Sequence, residues 1–405
     1  MIPFSPPHIT QEAIDSVVET LKSGWITTGP KTKKFEKELS AYNGNAATLC
    51  LNSATAGLEI MLMWFGVTEG DEVILPAYTY SATANVVMHT GATPVFVDVN
   101  STDFNINVAN VRNVITAKTK VIMPVDFAGF PCDYSELNAL VNEPSIKAVF
   151  TPNSDNQTTL GRIMILSDAA HSIGAQYKGK RTGALTDVSV FSFHAVKNLT
   201  TAEGGAVALN FPAPFDNEEI YKALCIKTLH GQNKDALAKM QKGNWKYDIV
   251  EAGYKCNMTD ISAAIGLVEL SRYETEILPK RKHIYERYTA LLKQYDWAII
   301  PTYVSEDKLT SYHLYTLRIK SVTEQQRDAI MQVIFDHDVY VNVHFIPVPM
   351  LSFYKKQGYD IGNYPTTYNN FATEISLPVF YNLTDDNVVT VVNAVVDGVN
   401  KVLGI

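Results

Sequence analysis

The sequence predicts an α/β protein whose mostly parallel central sheet has helices on both faces, followed by a smaller α+β domain. Three observations lead to this fold class. Strand and helix patterns alternate over about residues 25–250, and the strands among them are apolar throughout, as in a sheet buried on both faces. Beyond residue 255 long amphipathic helices replace the alternation. We therefore expect a large α/β domain at residues 1–255, including the N-terminal segment, and a small domain at 256–405.

The alternation can be followed element by element through the large domain. Amphipathic patterns at 11–22 and 30–43 predict two helices, ended by Gly24 and Gly44, and Ser53 opens a third. The polar, turn-rich second half of 143–162 is expected to form an insertion or a hairpin. The predicted strands are 47–52, 72–78, 93–99, 119–129, 147–153, 162–170, 188–193 and 205–209, and the helices between them are 53–67, 81–91 and 132–142.

The small domain has a different order of patterns. Residues 260–295 predict one or two long helices, and strand-like segments follow at 313–319 and 339–345. A helix is expected between these segments, at 324–338, and another closes the chain at 385–403. This mixture predicts an α+β domain.

Composition excludes several functional classes. The formal net charge is −8 and no Lys/Arg-rich run occurs, so nucleic acid is not an expected partner. No run of about 18 uncharged apolar residues is present, and the N-terminus lacks the pattern of a secretory signal, so neither a membrane nor export is expected. The four cysteines are scattered without CxxC spacing. This pattern favours reduced thiols in a cytoplasmic protein and gives no indication of a metal site.

Two residues with complementary chemistry follow predicted strands. Asp168 ends the strand of "ILSDAAHSIGA", and Lys197 lies in the loop after "SVFSF". Ligands collect at the carboxyl ends of parallel strands. A desolvated lysine can form a Schiff base with an aldehyde, and a buried carboxylate can keep a ring nitrogen protonated, so the pair suits pyridoxal phosphate. Taken singly, Lys197 is more simply a solvated loop residue and Asp168 a helix N-cap.

The same reasoning gives candidates for the rest of the cofactor. The turn Ser53–Ala54–Thr55 precedes a helix, whose free N–H groups and dipole favour a phosphate, and Ser192 can add a hydroxyl. Tyr80 follows another strand and can cover an aromatic ring. Taken singly, Ser53 is most simply an N-cap and Tyr80 a packing residue.

A family resemblance joins these features. The segment "SDAAHSIGAQYKGKRTGALTDVSVFSFHAVKNLTTAEGGAV" closely resembles the signature of the DegT/StrS-type nucleotide-sugar aminotransferases, which are fold-type I pyridoxal-phosphate enzymes. The segments "NSATAGLEIML", "VDFAGFPCD", "YKCNMTDISAAIGLVEL" and "VNVHFIPVP" resemble other blocks of the family, so the resemblance covers nearly the whole chain. The sequence departs from the family at Ser167, usually acidic, and at Ala195, often proline.

The resemblance implies a role for each candidate residue. Lys197 would be the Schiff-base lysine that also moves the proton, and Asp168 would pair with the ring nitrogen. Asn257 would reach the phosphate from the neighbouring subunit, which implies a homodimer with shared active sites. The remaining implied contacts are His171 near the ring hydroxyl, Tyr80 on the ring face, Ala54, Thr55 and Ser192 at the phosphate, and His344 near the substrate.

The reaction implied is transfer of an amino group from L-glutamate to a keto-sugar of a nucleotide diphosphate sugar, giving an amino sugar nucleotide and 2-oxoglutarate. Both substrates are anionic, and the candidate basic residues for binding them are Lys31, Lys33, Lys34 and Arg181. Taken singly, each of these is more simply a solvated surface residue. Two alternatives stay open: an aminotransferase for a cyclitol ketone, and a catalytically silent regulatory homologue. A deoxygenating branch of the family carries histidine at the lysine position, so Lys197 argues against it.

Overall fold

The computed structural model describes residues 1–234 and 245–405. Its central sheet has seven strands in the order β1-β9-β8-β5-β4-β2-β3, and only β9 runs antiparallel to its neighbours. The predicted fold class is therefore confirmed. The strands in chain order are β1 (Ala47–Leu51), β2 (Glu72–Pro76), β3 (Thr93–Val97), β4 (Thr119–Ile122), β5 (Met164–Asp168), β6 (Gln176–Tyr177), β7 (Lys180–Arg181), β8 (Val188–Ser192), β9 (Gly205–Leu209), β10 (Ala298–Ile299), β11 (Lys308–Leu309), β12 (Tyr315–Ile319) and β13 (Glu374–Leu377).

Helices cover the central sheet and build the rest of the chain. Several begin and end with the expected signals: Ser53 accepts a hydrogen bond from the N–H of Ala56, and Gly24 and Gly44 end their helices in the left-handed conformation. The described helices in chain order are α1 (Gln11–Ser23), α2 (Pro30–Asn43), α3 (Ala54–Trp64), α4 (Ser81–His89), α5 (Val108–Val114), α6 (Tyr134–Asn142), α7 (Pro144–Val149), α8 (Asp155–Leu160), α9 (Asn217–Lys227), α10 (Asp260–Arg272), α11 (Leu278–Leu292), α12 (Glu324–Asp336), α13 (Ser352–Lys356), α14 (Pro365–Thr373) and α15 (Asp385–Leu403).

The C-terminal part contains a small antiparallel sheet in the order β10-β12-β13. Helices α12 and α15 pack against each other, and their buried residues join the core around β12 and β13. The expected long helical segment at 260–295 is α10 and α11, joined by a π-helical turn at Tyr273–Ile277. This part therefore has the predicted α+β composition, while the boundary at residue 255 stays a prediction.

The segment 143–162 differs from its prediction. It forms α7 and α8, so the strand expected at 147–153 and the hairpin expected here are both wrong. Pro144 is favourable in the first turn of α7, and Ser154 caps α8 by accepting from the N–H of Gln157. The polar side chains of α8 bond the carbonyls at the end of α3: Ser154 donates to Phe65 at 2.8 Å and Gln157 donates to the same oxygen at 3.1 Å. The segment thus caps a helix.

Two predicted strands are also shorter than expected. β4 ends at Ile122, and residues 339–345 form isolated bridges, from Val339 to Ile2 and from Asn342 to Ser376. The second bridge sets residues 342–344 beside β13. Among the described residues, no helix has both the length and the apolar character needed to cross a lipid bilayer.

Candidate active site

A cavity of about 350 Å³ opens at the carboxyl edge of the central sheet. Because β1, β2, β5 and β8 run in parallel, the residues that follow them meet at this edge. Asp168 and Lys197 both line this cavity, so the carboxylate and the amine on which the predicted chemistry depends lie in one site. The other predicted residues that line it are Ala54, Thr55, Tyr80, His171, Ser192 and His344.

Lys197 is held by a tight loop between β8 and β9. The N–H of Lys197 donates to the carbonyl of His194 at 2.9 Å, and the N–H of Thr201 donates to Phe193 at 2.9 Å. Desolvation of the amine by burial lowers the pKa of Lys197 to about 8, and the nearby charge of Asp168 opposes this shift. An amine with this pKa is available as the free base near neutral pH, as a nucleophile requires.

The two glycines after this loop, Gly204 and Gly205, are required because a larger residue would clash with its neighbours. Gly205 begins β9 directly against the start of α3, and a Cβ at this position would lie 2.4 Å from the Ala54 nitrogen. A Cβ at Gly204 would lie 2.1 Å from the hydroxyl of Thr201. Only glycine permits both approaches. The pair therefore brings the strand that follows the lysine loop into contact with the proposed phosphate site.

Asp168 is buried at the floor of the cavity. Thr83 donates a hydrogen bond of 2.8 Å to one carboxylate oxygen, and the N–H of Ala170 donates one of 3.3 Å to the other. Burial raises the pKa of Asp168, while these hydrogen bonds and the charge of Lys197 act in the opposite direction. Within the described ranges the carboxylate forms no ion pair, and a buried charge of this kind fits a protonated ring nitrogen of a ligand.

His171 lies on the cavity wall, and its buried Nδ1 has no hydrogen-bond partner among residues 1–234 and 245–405. Its ring lies 4.3 Å from that of His313 and 5.8 Å from that of Phe345, centroid to centroid. Burial and the charge of Lys197 hold the pKa of His171 well below its usual value, so the ring is neutral. An unsatisfied buried nitrogen is costly unless a ligand supplies the partner. The ring hydroxyl of pyridoxal phosphate would do so.

The first turn of α3 provides a site for an anion. Ser53 is the N-cap, as its simplest interpretation predicts, and accepts from the N–H of Ala56 at 3.1 Å. Ala54 and Thr55 occupy the first two helical positions, whose N–H groups have no acceptor within the helix. Both residues line the cavity together with Ser192. Free N–H groups, a hydroxyl and the helix dipole suit a phosphate.

Tyr80 stands at the open side of the cavity, before α4. Its side chain is exposed, and its ring lies 5.6 Å from that of Phe345. Tyr78, two residues earlier, is fully buried and donates to the carbonyl of His344 at 2.7 Å. Of the two tyrosines, only Tyr80 lines the cavity and is free to cover a bound ring.

Asn257 and the basic candidates lie outside this cavity. Asn257 forms an isolated bridge with Leu51 and donates its side-chain amide to Thr28, and its contact with the partner subunit's cofactor stays a prediction. The basic residues each pair with a glutamate of the same chain: Lys31 with Glu19, Lys33 with Glu36, Lys34 with Glu38, and Arg181 with Glu274.

Sequence reasoning did not single out several residues that line the cavity, among them Thr83, His313, Phe345 and Phe4. Thr83 lies in the first turn of α4, a position where a polar residue after a strand could have indicated a ligand site. His313 comes from a distant part of the chain and bonds Asn198 of the lysine loop at 2.8 Å. Its placement depends on how the C-terminal part packs, and no local motif carries that information.

Together these residues fit pyridoxal phosphate. Four features each match one part of the cofactor: a lysine with a lowered pKa, a helix N-terminus, and, as far as the described part of the chain shows, a buried carboxylate without a counter-ion and a buried imidazole nitrogen without a partner. The match comes from the chemistry of the donor set, and each group faces the same cavity.

Comparison with known proteins gives the same result. The sequence model of the DegT/DnrJ/EryC1/StrS aminotransferase family matches residues 7–150 and 158–396. The spore coat polysaccharide biosynthesis protein SpsC of Bacillus subtilis is 35% identical over 400 residues, which cover 98% of this chain and 96% of that protein.

Solved structures of two proteins are similar to this chain over nearly the full length. A Streptococcus pneumoniae protein assigned as a sugar aminotransferase, solved in its PMP form, superimposes with a TM-score of 0.96 at 46% identity, covering 99% of this chain and 100% of that one. Its PLP form gives a TM-score of 0.94. PseC of Helicobacter pylori, an aminotransferase involved in the biosynthesis of pseudoaminic acid, gives 0.85 at 25% identity, covering 99% of each chain.

Proposed function

The chain belongs to the DegT/DnrJ/EryC1/StrS aminotransferase family and uses pyridoxal phosphate, and we propose that it transfers an amino group from L-glutamate to a nucleotide diphosphate keto-sugar. The products would be an amino sugar nucleotide and 2-oxoglutarate. The observation that carries the proposal is the shared cavity of Lys197 and Asp168. The similarity to proteins named for sugar amination and polysaccharide biosynthesis supports a sugar as the amino acceptor.

The residues around the cavity have separate tasks in this reaction. When bound, the cofactor supplies an electron sink that lets the bond between hydrogen and the carbon beside nitrogen break. Asp168 keeps the ring nitrogen protonated, and Ala54, Thr55 and Ser192 hold the phosphate. Tyr80 covers the open face of the ring and His171 bonds the ring hydroxyl.

Lys197 is proposed to have two tasks. Its amine binds the cofactor between turnovers and moves the proton when a substrate amine has taken its place. A pKa of about 8 suits both tasks, because the amine can lose and regain a proton near neutral pH. The same cavity would admit the amino donor and the amino acceptor in turn. His344, which lines the cavity, is the residue proposed to contact the acceptor.

We also propose a homodimer with shared sites, in which Asn257 reaches the phosphate of the partner subunit. Its position beside β1 places it near the first turn of α3 but outside this chain's cavity. An Asn257→Ala variant should weaken cofactor binding in the dimer. Mixing it with a Lys197→Ala variant should restore activity to about a quarter of wild type, because only one kind of site in the hybrid dimers is intact.

A direct assay tests the substrate. The protein is incubated with pyridoxal phosphate, L-glutamate and a panel of nucleotide-linked keto-sugars, and both 2-oxoglutarate and amino sugar nucleotide are measured. Formation of both products, abolished by Lys197→Ala, is the expected result. Equal turnover of a nucleotide-free cyclic six-carbon ketone would favour the cyclitol alternative. A protein that binds the cofactor but forms no 2-oxoglutarate from L-glutamate would favour the silent homologue.

A further inference from the structure

A row of three hydrogen-bonded side chains leads from the protein interior to the cavity wall. Glu374 and Ser376 are two residues apart on β13, so they share one face of the strand. The Ser376 hydroxyl lies 2.5 Å from Glu374 Oε1 and 2.9 Å from Nδ1 of His344. The backbone N–H of His344 donates to Glu374 Oε2 at 3.1 Å. Since Nδ1 is engaged, Nε2 is the nitrogen left for a ligand.

The burial of the Glu374 carboxyl is not explained by an ion pair with an arginine. Two arginines are close, but their guanidinium groups bond other atoms: Arg327 donates to the carbonyls of Phe371 and Glu374, and Arg318 donates to the side chain of Asn370. Within the described part of the chain, the Glu374 carboxyl bonds only Ser376 and His344. Its fully buried oxygens are thus directed at the histidine that faces the cavity.

We propose that Glu374 and Ser376 form a proton relay for His344, which lets Nε2 accept a hydrogen bond from one substrate and donate one to the other. The relay rests on the proposed function in one respect, namely that two substrates of different chemistry use this cavity in turn. The amino donor presents carboxylates, which only accept hydrogen bonds, whereas a keto-sugar also presents hydroxyls that donate. A histidine fixed in one tautomer can serve only one of these groups.

The proton balance of the relay is simple. In the first state Glu374 is ionised, Ser376 donates to it, Nδ1–H donates to Ser376, and Nε2 accepts. A proton that arrives at Nε2 from the ligand or solvent shifts the others along the row: the Nδ1 proton moves to the Ser376 oxygen, and the Ser376 proton moves to Glu374. In the second state Nε2 donates, the imidazole is still neutral, and the carboxyl has gained one proton.

The surroundings favour such a transfer. Burial lowers the pKa of His344 to about 3, so the ring avoids the doubly protonated state in which it could only donate. Burial also raises the pKa of Glu374 to about 8, which makes both of its states accessible near neutral pH. The charged or titratable groups that act on this pair are Arg318 on β12, Arg327 on α12, Tyr78 after β2, and Lys197, His171 and His313 around the cavity.

Histidine nitrogen NMR tests the relay directly. The enzyme in its pyridoxamine phosphate form, labelled with ¹⁵N-histidine, contains nine histidines per chain, and His344→Asn identifies the signal in question. We expect Nδ1–H at pH 9 and Nε2–H at pH 6.5, with the change centred near pH 8. A single tautomer of wild-type His344 throughout this range would overturn the proposal. This readout needs no sugar substrate.

Two variants and a control test whether the pH-dependent tautomer change of His344 depends on Ser376 and Glu374. Ser376→Ala should abolish the pH-dependent change, and Glu374→Gln should hold Nε2–H at every pH because its amide mimics the protonated acid. Thr367→Ala is the matched control, since it removes a buried hydroxyl that donates to Asp98 at 2.8 Å outside the cavity, and the change should persist. Persistence of the change in Ser376→Ala and Glu374→Gln would also overturn the proposal.

Half-reaction kinetics separate the relay from the proposed function. In Glu374→Gln the amino-donor half-reaction should stay within about threefold of wild type, while the sugar half-reaction falls about tenfold or more, as for a lost hydrogen bond. An equal loss in both half-reactions would contradict selective recognition through Nε2. If no keto-sugar is accepted at all, the proposed substrate is wrong, and the NMR result still decides whether the relay exists.

Discussion

Thr83 donates a hydrogen bond of 2.8 Å to Asp168, and so ties the first turn of α4 to the buried carboxylate at the end of β5. The hydroxyl of Thr79 lies 2.7 Å from that of Thr83 and continues the row. These hydroxyls favour the ionised carboxylate, because a donor lowers the free energy of the charged form. The two threonines therefore support the role proposed for Asp168, which is to keep a bound ring nitrogen protonated.

Replacing Thr83 with valine removes this donor and keeps the shape of the side chain. A hydrogen bond to a charged group contributes about 1.5–3 kcal/mol, so we expect the affinity for pyridoxal phosphate to fall about ten- to hundredfold. Spectroscopic titration of the cofactor-free protein measures this. Thr90→Val, which removes a hydroxyl that donates to the carbonyl of Val87 and accepts from the N–H of Ala92 outside the cavity, should leave the affinity unchanged. Unchanged affinity in Thr83→Val would show that Asp168 does not depend on this contact.

The protonation of Lys197 should depend on Asp168. In the cofactor-free protein, the rate at which an amine-selective reagent modifies Lys197 should rise with pH around a midpoint near pH 8. The charge of Asp168 favours the ammonium form, so Asp168→Asn should move the midpoint to lower pH. Peptide mass spectrometry quantifies the modified lysine. A midpoint that rises in Asp168→Asn would contradict the assigned electrostatics.

Gly205→Ala should damage both stability and cofactor binding. The added Cβ would lie 2.4 Å from the backbone nitrogen of Ala54 and would push β9 away from α3. We expect a loss of about 1–3 kcal/mol in the free energy of unfolding, as for other overpacked sites, and weaker binding of free phosphate and cofactor. Gly362→Ala, where the nearest atom to the Cβ is 3.4 Å away, serves as the control. If Gly205→Ala bound phosphate as tightly as the wild-type protein, Gly205 would not contribute to the anion site.

Glu374 should make stability depend on pH in a defined direction. Burial raises its pKa from an ordinary value of 4.5 to about 8, so the folded state favours the neutral acid. The stabilisation is fully present below about pH 4.5 and is lost as the pH rises through 8. The Tm of Glu374→Gln minus the Tm of the wild type should therefore increase from pH 5 to pH 8.5. Parallel pH profiles of the two proteins would contradict the shifted pKa.

Gln157 should matter for stability and leave cofactor binding intact. Its buried side chain accepts from the N–H of Asn153 and donates to the last carbonyls of α3. Gln157→Leu leaves these groups unsatisfied, so we expect a loss of about 1–3 kcal/mol by chemical denaturation. Cofactor affinity should stay at the wild-type value, since the opposite end of α3 faces the cavity. Weaker cofactor binding would mean that the two ends of this helix are coupled.

The sequence predicted those parts of the site that depend on the order of residues along the chain. Lys197 and Asp168 could be placed in one cavity because each follows an apolar strand, and parallel strands present their ends at one edge. His313 was missed because its position depends on how the C-terminal part packs, whereas Thr83, a polar residue in the first turn of a helix that follows a strand, carried a local signal that was not used. The helices at 143–162 were mistaken for a strand and a hairpin because Val149 and Phe150 resemble a buried strand, while Pro144 and Ser154 determine where helices begin.

The approach of β9 to α3 through Gly205 has a consequence for how such enzymes diverge. The lysine loop connects β8 to β9, and β9 touches the turn proposed to hold the phosphate, so the spacing between Lys197 and that turn is set by these adjacent elements. His344 and Phe345 reach the cavity from a separate layer of the molecule. Substitutions in the wall proposed to contact the amine acceptor can therefore accumulate without changing the distance between Lys197 and the turn proposed to hold the phosphate.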